Sequence, residues 1–343
     1  MTRSIACVLG AGYSCVAGVP LAKDLFKPNY VLAMSARSKK RFAAILEHYD
    51  DWQKHHPNDY PEQYLGSLYS GQMRANAPLW EWAIEYVGAV IASAGTPPSS
   101  LNRDPRYSNR VNRPSEVVIH KQLWDAILRN AENISVLTTN YDILIERALR
   151  HRPMQRPPSP GCFYGGLPRP QRLTGAAQPF SRWSPERLIE MDGAVPVYKL
   201  HGSLNWFLNG HDLVLYQDMR AVFRHGGTAA IVPPVPEKSV PHWLRTIWHG
   251  AELALRNANV WIVCGYSAPP YDLEILRLLA AGSEDRQITI LLLSPDSADL
   301  RIRWQEIAPA AQVIALPGLP AGIQPLAEWL ARSRGSGSEW SGF

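Results

Sequence analysis

The chain has 343 residues, 46% hydrophobic and 19% charged, with 29 prolines, 12 tryptophans and a formal net charge of +5. This is the make-up of a globular protein able to bury a sizeable core, and it excludes a disordered, collagen-like or disulfide-rich chain. The arginines are scattered, which argues against a nucleic-acid groove, and no apolar run reaches the roughly 18 residues of a membrane span.

The first apolar run, Ile5–Leu9, reads as a buried strand that ends in Gly10-Ala11-Gly12-Tyr13-Ser14, with a helix expected to start over Leu21–Phe26. A strand, a Gly-x-Gly turn and a helix N-terminus form an anion site, because glycines let backbone approach a phosphate and helix amides face it. The same residues also suit an ordinary βα turn. From about 28 to 131 the periodicity is helical, over Lys39–Tyr49, Leu79–Ala92 and Glu116–Ala131, which predicts a helical insertion.

Further strands are expected over Ile134–Thr138, Val195–Leu200, Val260–Cys264, Ile288–Leu293 and Gln312–Leu316. Helical patterns follow four of them, over Asp142–Arg150, Tyr271–Ala281, Ser297–Ile307 and Gly322–Leu330. Continuously apolar strands alternating with helices predict an α/β fold, a Rossmann-like parallel sheet with helices on both faces. Residues 152–193, rich in Pro, Arg and Gly, read as a long loop, and 333–343 as a flexible tail. The expected organisation is an α/β core over 1–27 and 132–332, interrupted by the insertion 28–131.

The four cysteines include no C-x-x-C pair, and Cys7 and Cys264 lie in strand-like runs, so a core role, a reducing compartment and no metal site are expected. With no signal-peptide pattern at the start, the expected location is cytoplasmic.

Ligands of open parallel sheets bind beyond the strand C-termini. Five predicted strand ends carry small or polar residues: Gly10 to Ser14, Thr138-Thr139-Asn140-Tyr141-Asp142, His201-Gly202-Ser203, Gly265-Tyr266-Ser267 and Ser294-Pro295-Asp296. Together they predict one large polar ligand across the sheet edge. A hydride-transfer dinucleotide site is disfavoured, because a third fingerprint glycine would fall on Cys15 and no strand-end carboxylate lies about 20 residues on.

Asn140 is the first candidate for catalysis, since a carboxamide accepts from a sugar hydroxyl and donates to a water; the alternative is a turn residue. Asp142 either caps the next helix or offsets a cation and orients Asn140. His201 is the candidate base, since an imidazole can take a proton near neutral pH, against the alternative of a structural histidine. Ser294 and Asp296 suit either a ribose contact or a turn opening a helix. Leu204–Phe207 either roofs the ligand or forms a core hairpin.

"GAGYS…GVP", "TTNYD", "LHGS" and "CGYS" occur in the order of the NAD-binding core of the sirtuin superfamily, where the counterparts read GAGxSxxxGIP, TQNxD, HG and GTS. The chain resembles, more closely still, the sirtuin-like NAD-cleaving effectors of bacterial antiphage defence. It departs from deacylating sirtuins in lacking the C-x-x-C zinc ribbon and in carrying Leu21-Ala22-Lys23 where Phe-Arg usually follows. The resemblance implies NAD⁺ as substrate, no metal, and cleavage of the nicotinamide–ribose bond by an NAD⁺ hydrolase that depletes NAD⁺ in abortive infection. It implies catalytic roles for Asn140, His201 and Asp142. NAD⁺ contacts are implied for Gly10, Ala11, Gly12, Ser14, Thr139, Gly265, Ser267, Ser294 and Asp296. The alternatives are an NAD-dependent deacylase or ADP-ribosyltransferase, and a catalytically silent NAD- or ADP-ribose-binding module. Such an enzyme needs a resting state, so a homo-oligomer and a companion ATPase, Argonaute or nucleotide-processing subunit are expected. Trp52, Trp80, Trp82 and the segment from Arg152 to Arg172 are the candidate contact surfaces.

Overall fold

The computed structural model describes residues 3–27, 36–71, 77–94, 114–131, 133–149, 162–167, 194–209, 212–216, 228–233 and 240–332. The expected tail and nearly all of the Pro/Arg-rich segment lie outside the described residues.

Seven parallel strands form the main sheet: β1 (Ser4–Leu9), β2 (Asn133–Thr138), β3 (Cys162–Tyr164), β4 (Val195–Lys199), β8 (Val260–Cys264), β9 (Thr289–Leu293) and β10 (Gln312–Leu316). Their order is β10-β9-β8-β1-β2-β4-β3. β1 is therefore central, with β2 on one side and β8 on the other, in register from Ile5 to Leu9 with both. Between β1 and β8 the order of strands reverses, which makes their C-terminal ends the natural ligand crevice of such a sheet.

Strand alternation sends successive side chains to opposite faces. Ile5, Cys7 and Leu9 enter one apolar cluster, with Phe42, Ile45, Tyr64, Leu65, Trp124 and Leu326. Ala6 and Val8 enter the other, with Ala251, Leu255, Ile275, Leu279 and Trp304. The first face is covered by α2 (Ala36–His55), α3 (Pro61–Gly71), α4 (Ala77–Ala94), α5 (Pro114–Leu128), α6 (Leu144–Ala148) and α10 (Ile323–Arg332). The second is covered by α7 (His242–Asn257), α8 (Leu273–Ser283) and α9 (Ser297–Ile307). The expected fold class, a parallel α/β sheet covered on both faces, is the observed one.

Three readings differ. The helix after β1 is α1 (Ala11–Cys15), so the glycine motif lies inside it, and Leu21–Phe26 yields only a 3₁₀ turn over Ala22–Asp24. Within the predicted Pro/Arg-rich loop, Cys162–Tyr164 pairs with β4 as the edge strand β3. Third, β5 (Gly202–Asn209), β6 (Asp212–Leu215) and β7 (Ala229–Ile231) form a separate antiparallel sheet. Of the two readings of Leu204–Phe207, the core hairpin holds, because Trp206 is fully buried, edge-on to Tyr164 at 4.9 Å.

The three tryptophans of the candidate contact surface all take part in packing, Trp52 and Trp82 while still partly exposed. Trp80 is only 4% exposed, Trp52 stacks on His56 at 4.6 Å, and Trp82 lies under the Arg41 guanidinium at 5.7 Å. Amphipathic helices of this insertion cover the sheet, and that burial claims their large rings first.

Candidate active site

The end of β1 is locked against the end of β8. Gly10 N–H donates to Cys264 O at 3.1 Å and Gly12 N–H to Gly265 O at 2.9 Å. A Cβ on Gly12 would lie 2.7 Å from Gly265 Cα, and one on Gly10 would lie 2.6 Å from Gly265 O. Gly265 itself has a φ of +65° and would set a Cβ 2.2 Å from Tyr13 N. The missing side chains at Gly10, Gly12 and Gly265 let the two loops pack against each other. The helix that follows is gripped by α5. His120 Nε2 lies 2.7 Å from Tyr13 O and its ring stacks on Tyr13 at 4.3 Å, while Trp124 Nε1–H donates to the Tyr13 hydroxyl at 3.0 Å. A carbonyl only accepts, so Nε2 carries the proton, in keeping with burial holding the His120 pKa down.

Ser14, Asn140 and Asp142 form one buried network that ties β1 to β2. Asn140 Nδ2 donates to Gly10 O and to Ser14 Oγ, both at 2.9 Å. Ser14 Oγ donates to Asp142 Oδ2 at 2.7 Å. Asp142 Oδ1 accepts the Leu144 amide at 2.8 Å. Asp142 thus takes the first amide of α6 and is linked to Asn140 through Ser14. Asn140 loses half of its expected repertoire, because both amide hydrogens are spent inside the protein. Its Oδ1 takes no hydrogen bond from any described residue and stays an acceptor for a ligand hydroxyl.

A second, unforeseen support lies beneath. Lys199, completely buried at the end of β4, donates through Nζ to Asp142 O and pairs with Glu146 Oε1 at 3.4 Å. Burial holds the Glu146 carboxyl above the usual carboxylate range, with Lys199 the main opposing influence. The loop is also fixed from β5, where Leu204 N–H donates to Tyr141 O at 2.9 Å.

His201 follows β4 and is 4% exposed. Its Nε2 lies 3.5 Å from Asp272 Oδ1, and Asp272 Oδ2 accepts the Tyr266 hydroxyl at 3.0 Å. Asp272 is the residue the sequence reading missed. It precedes α8, so it reads as a helix cap, yet its side chain makes no capping bond. A cap-type Asp after a Tyr-rich strand end was the available signal, but only the fold brings it to His201. His201 Nδ1, with no described partner, is the nitrogen left for a ligand or water.

Thr139 donates its backbone amide to Leu9 O at 3.2 Å, which sets it between β1 and β2. Ser267 is exposed, and its carbonyl accepts from Arg303 at 2.9 Å. Ser294 Oγ accepts the Asp296 amide at 3.3 Å, and Asp296 precedes α9 with an exposed side chain. These residues stand on the same sheet edge, one and two strands from β1, outside the Asn140 network. Among the described residues no group of three or more His, Cys, Asp or Glu is placed to hold a metal ion. No described helix is long and apolar enough to cross a membrane.

A family model described as a SIR2-like domain matches residues 134–307, just over half of the 343. The chain belongs to the SIR2-like family. The match begins inside β2, and in the fold β1 with its Gly10–Ser14 motif lies in the middle of the same sheet. No curated protein matches the chain. Among solved structures, Sir2 in complex with the inhibitor EX-527, 2'-O-acetyl-ADP-ribose and deacetylated p53 peptide shares 13% identity, over 97% of this chain and 95% of that one, at a TM-score of 0.40. A Sir2–p53 peptide–NAD⁺ structure shares 14% over 98% and 95%, at 0.39. An ADP-ribose complex of a point mutant of a Sir2 homologue shares 16% over 97% and 92%, also at 0.39.

Proposed function

We propose that this SIR2-like protein is an NAD⁺ hydrolase that cleaves the nicotinamide–ribose bond and depletes NAD⁺ as a toxic effector in antiphage defence. One observation carries the reading: Asn140, with both amide hydrogens spent on Gly10 and Ser14, keeps an Oδ1 with no described partner at the C-terminal edge of the sheet, against the end of β1. A fixed acceptor of this kind suits a ribose hydroxyl.

The leaving nicotinamide is already cationic in NAD⁺, so no strong acid is required. The C1′–N bond breaks with its electron pair returning to the pyridinium nitrogen, and a water oxygen bonds to C1′. The water proton passes to His201 Nδ1, with Asp272 on Nε2 holding the ring. Asn140 orients the ribose, and the buried Asp142 carboxylate offsets the positive charge that grows on the sugar. Gly10, Ala11, Gly12 and Gly265 line the crevice where the pyrophosphate lies, with Ser14 holding Asn140 and Asp142 and Thr139 completing the β2 side. Ser267, Ser294 and Asp296 reach the adenosine side. In this reading 1–27 and 132–332 form the NAD⁺-cleaving core, 28–131 the insertion, and oligomerisation or a companion defence protein supplies the trigger.

The test is purified protein with NAD⁺ and no acylated peptide, with nicotinamide, ADP-ribose and cyclic ADP-ribose separated. Nicotinamide and an ADP-ribose species form, and Asn140→Ala and His201→Ala lower kcat by about 10²-fold or more with the fold intact. Turnover that requires an acyl-lysine peptide, or both variants within a few-fold of wild type, removes the assignment.

A further inference from the structure

The helical insertion sends one acid toward the site. Glu62, in the first turn of α3, has its Oε1 3.3 Å from the hydroxyl of Tyr271, the residue preceding Asp272. Its Oε2 is buried and has no hydrogen-bond partner among the described residues. Beside it, the Tyr60 ring packs on the Tyr271 ring at 5.0 Å. Together these contacts connect the insertion to the short segment that carries Asp272, the partner of His201.

The groups that face this carboxyl are all acids or phenols. Tyr271 and Asp272 come from the segment before α8, Tyr141 from the loop after β2, and Tyr49 from α2. No described cation appears among its electrostatic partners. An ionised Glu62 would leave one buried oxygen unsolvated and set a second negative charge near Asp272; these two costs outweigh the hydrogen bond from Tyr271, which by itself favours the ionised form.

We propose that Glu62 is a positioning residue of the site: neutral, it joins the insertion to the Tyr271–Asp272 segment and lets Asp272 lie against His201, and its ionisation sets a second negative charge beside Asp272 that loosens the hold on His201. This rests on the reading of His201 and Asp272 as part of the NAD⁺-cleaving machinery. It is consistent with burial, the largest cause, pushing the Glu62 pKa up to about 7, with the neighbouring Asp272 adding to the rise.

The experiment compares wild type with Glu62→Gln, which keeps the acceptor and the shape but stays neutral, and with Tyr271→Phe, which removes the hydroxyl. Two readouts are taken across about pH 6 to pH 8.5, the range spanning the Glu62 ionisation. The first is kcat for NAD⁺ cleavage. It falls severalfold in wild type as pH rises through about 7, shows no such fall in Glu62→Gln, and is severalfold lower at every pH in Tyr271→Phe. The second needs no NAD⁺: the ring-carbon NMR shift of Tyr266, labelled at Cζ and assigned with Tyr266→Phe, reports the Asp272 carboxylate it donates to. That shift moves with the Glu62 ionisation in wild type and not in Glu62→Gln. A Tyr266 shift with the same pH dependence in both proteins overturns the proposal whether or not NAD⁺ is cleaved. A Tyr266 response confined to wild type, in a protein that cleaves no NAD⁺, upholds it and removes the hydrolase reading. A fall of kcat through about pH 7 that survives in Glu62→Gln also overturns the proposal.

Discussion

Replacing Lys199 with Met tests whether the buried pair beneath the site supports both stability and activity. Lys199 is fully buried and Glu146 only 4% exposed, so removing the ammonium leaves a carboxyl with no compensating charge in the interior. Removing one partner of a buried pair costs about 3–5 kcal/mol. The carboxyl limits the damage by taking a proton. At pH 7 that protonation costs at most about 3.7 kcal/mol, from the 2.7-unit gap to an ordinary glutamate at about 1.36 kcal/mol per unit. The lost hydrogen bond to Asp142 O adds about 1 kcal/mol.

The sign with pH follows. Burial raises the folded-state pKa of Glu146, so the folded state binds more protons than the unfolded one above the unfolded pKa, and stability falls as pH rises. The variant lacks the opposing Lys199 and falls further than wild type. At pH 5 the protonation part of the penalty shrinks to about 1 kcal/mol. Urea titrations at both pH values measure the difference, and Lys199→Met/Glu146→Leu, which removes both charges, regains most of the loss at pH 7. Activity does not return with it, because the double variant still lacks the Nζ that holds the Asn140–Asp142 loop; NAD⁺ cleavage stays about 10-fold or more below wild type in both. Equal destabilisation at the two pH values, or a double variant no more stable than the single one, would refute the argument.

Two other perturbations separate packing from chemistry. Gly265→Ala combines a φ of +65° with a Cβ 2.2 Å from Tyr13 N, and it lowers stability by more than about 2 kcal/mol, whereas Gly18→Ala, at φ +81° with nothing within 4 Å, loses only about 1 kcal/mol. Matched melting curves for the two would show that the crowding at the β1–β8 junction is unimportant. Asp272→Asn keeps the shape beside His201 but removes the charge; kcat drops about 10- to 100-fold with the melting temperature within a few degrees, and unchanged kcat would take Asp272 out of the site.

The architecture was legible in the chain because fully buried parallel strands must be apolar throughout. Val260–Cys264 and Gln312–Leu316 appear in the structure with the bounds their composition suggests, and so does the helix over Ser297–Ile307. The strand-end motifs were legible for a related reason: small and polar residues interrupt apolar runs only where the chain leaves the sheet. Short elements were not, since the helix over Ala11–Cys15 and the strand over Cys162–Tyr164 are too brief for any periodicity and are stabilised by contacts with β8, α5 and β4. Nor was the division of labour among polar residues. Ser14 and Asp142 are 128 positions apart, His201 and Asp272 are separated by 71, and Glu62 meets Tyr271 across 209. Hydrogen bonds carry no trace in local pattern when their partners lie on different strands, so the sequence by itself named Asn140, Asp142 and His201 as chemistry-bearing residues. Only the tertiary structure decided which atoms of each are already spent, and it alone added Lys199, Asp272 and Glu62, each set against a partner distant in sequence by the packing of the sheet edge.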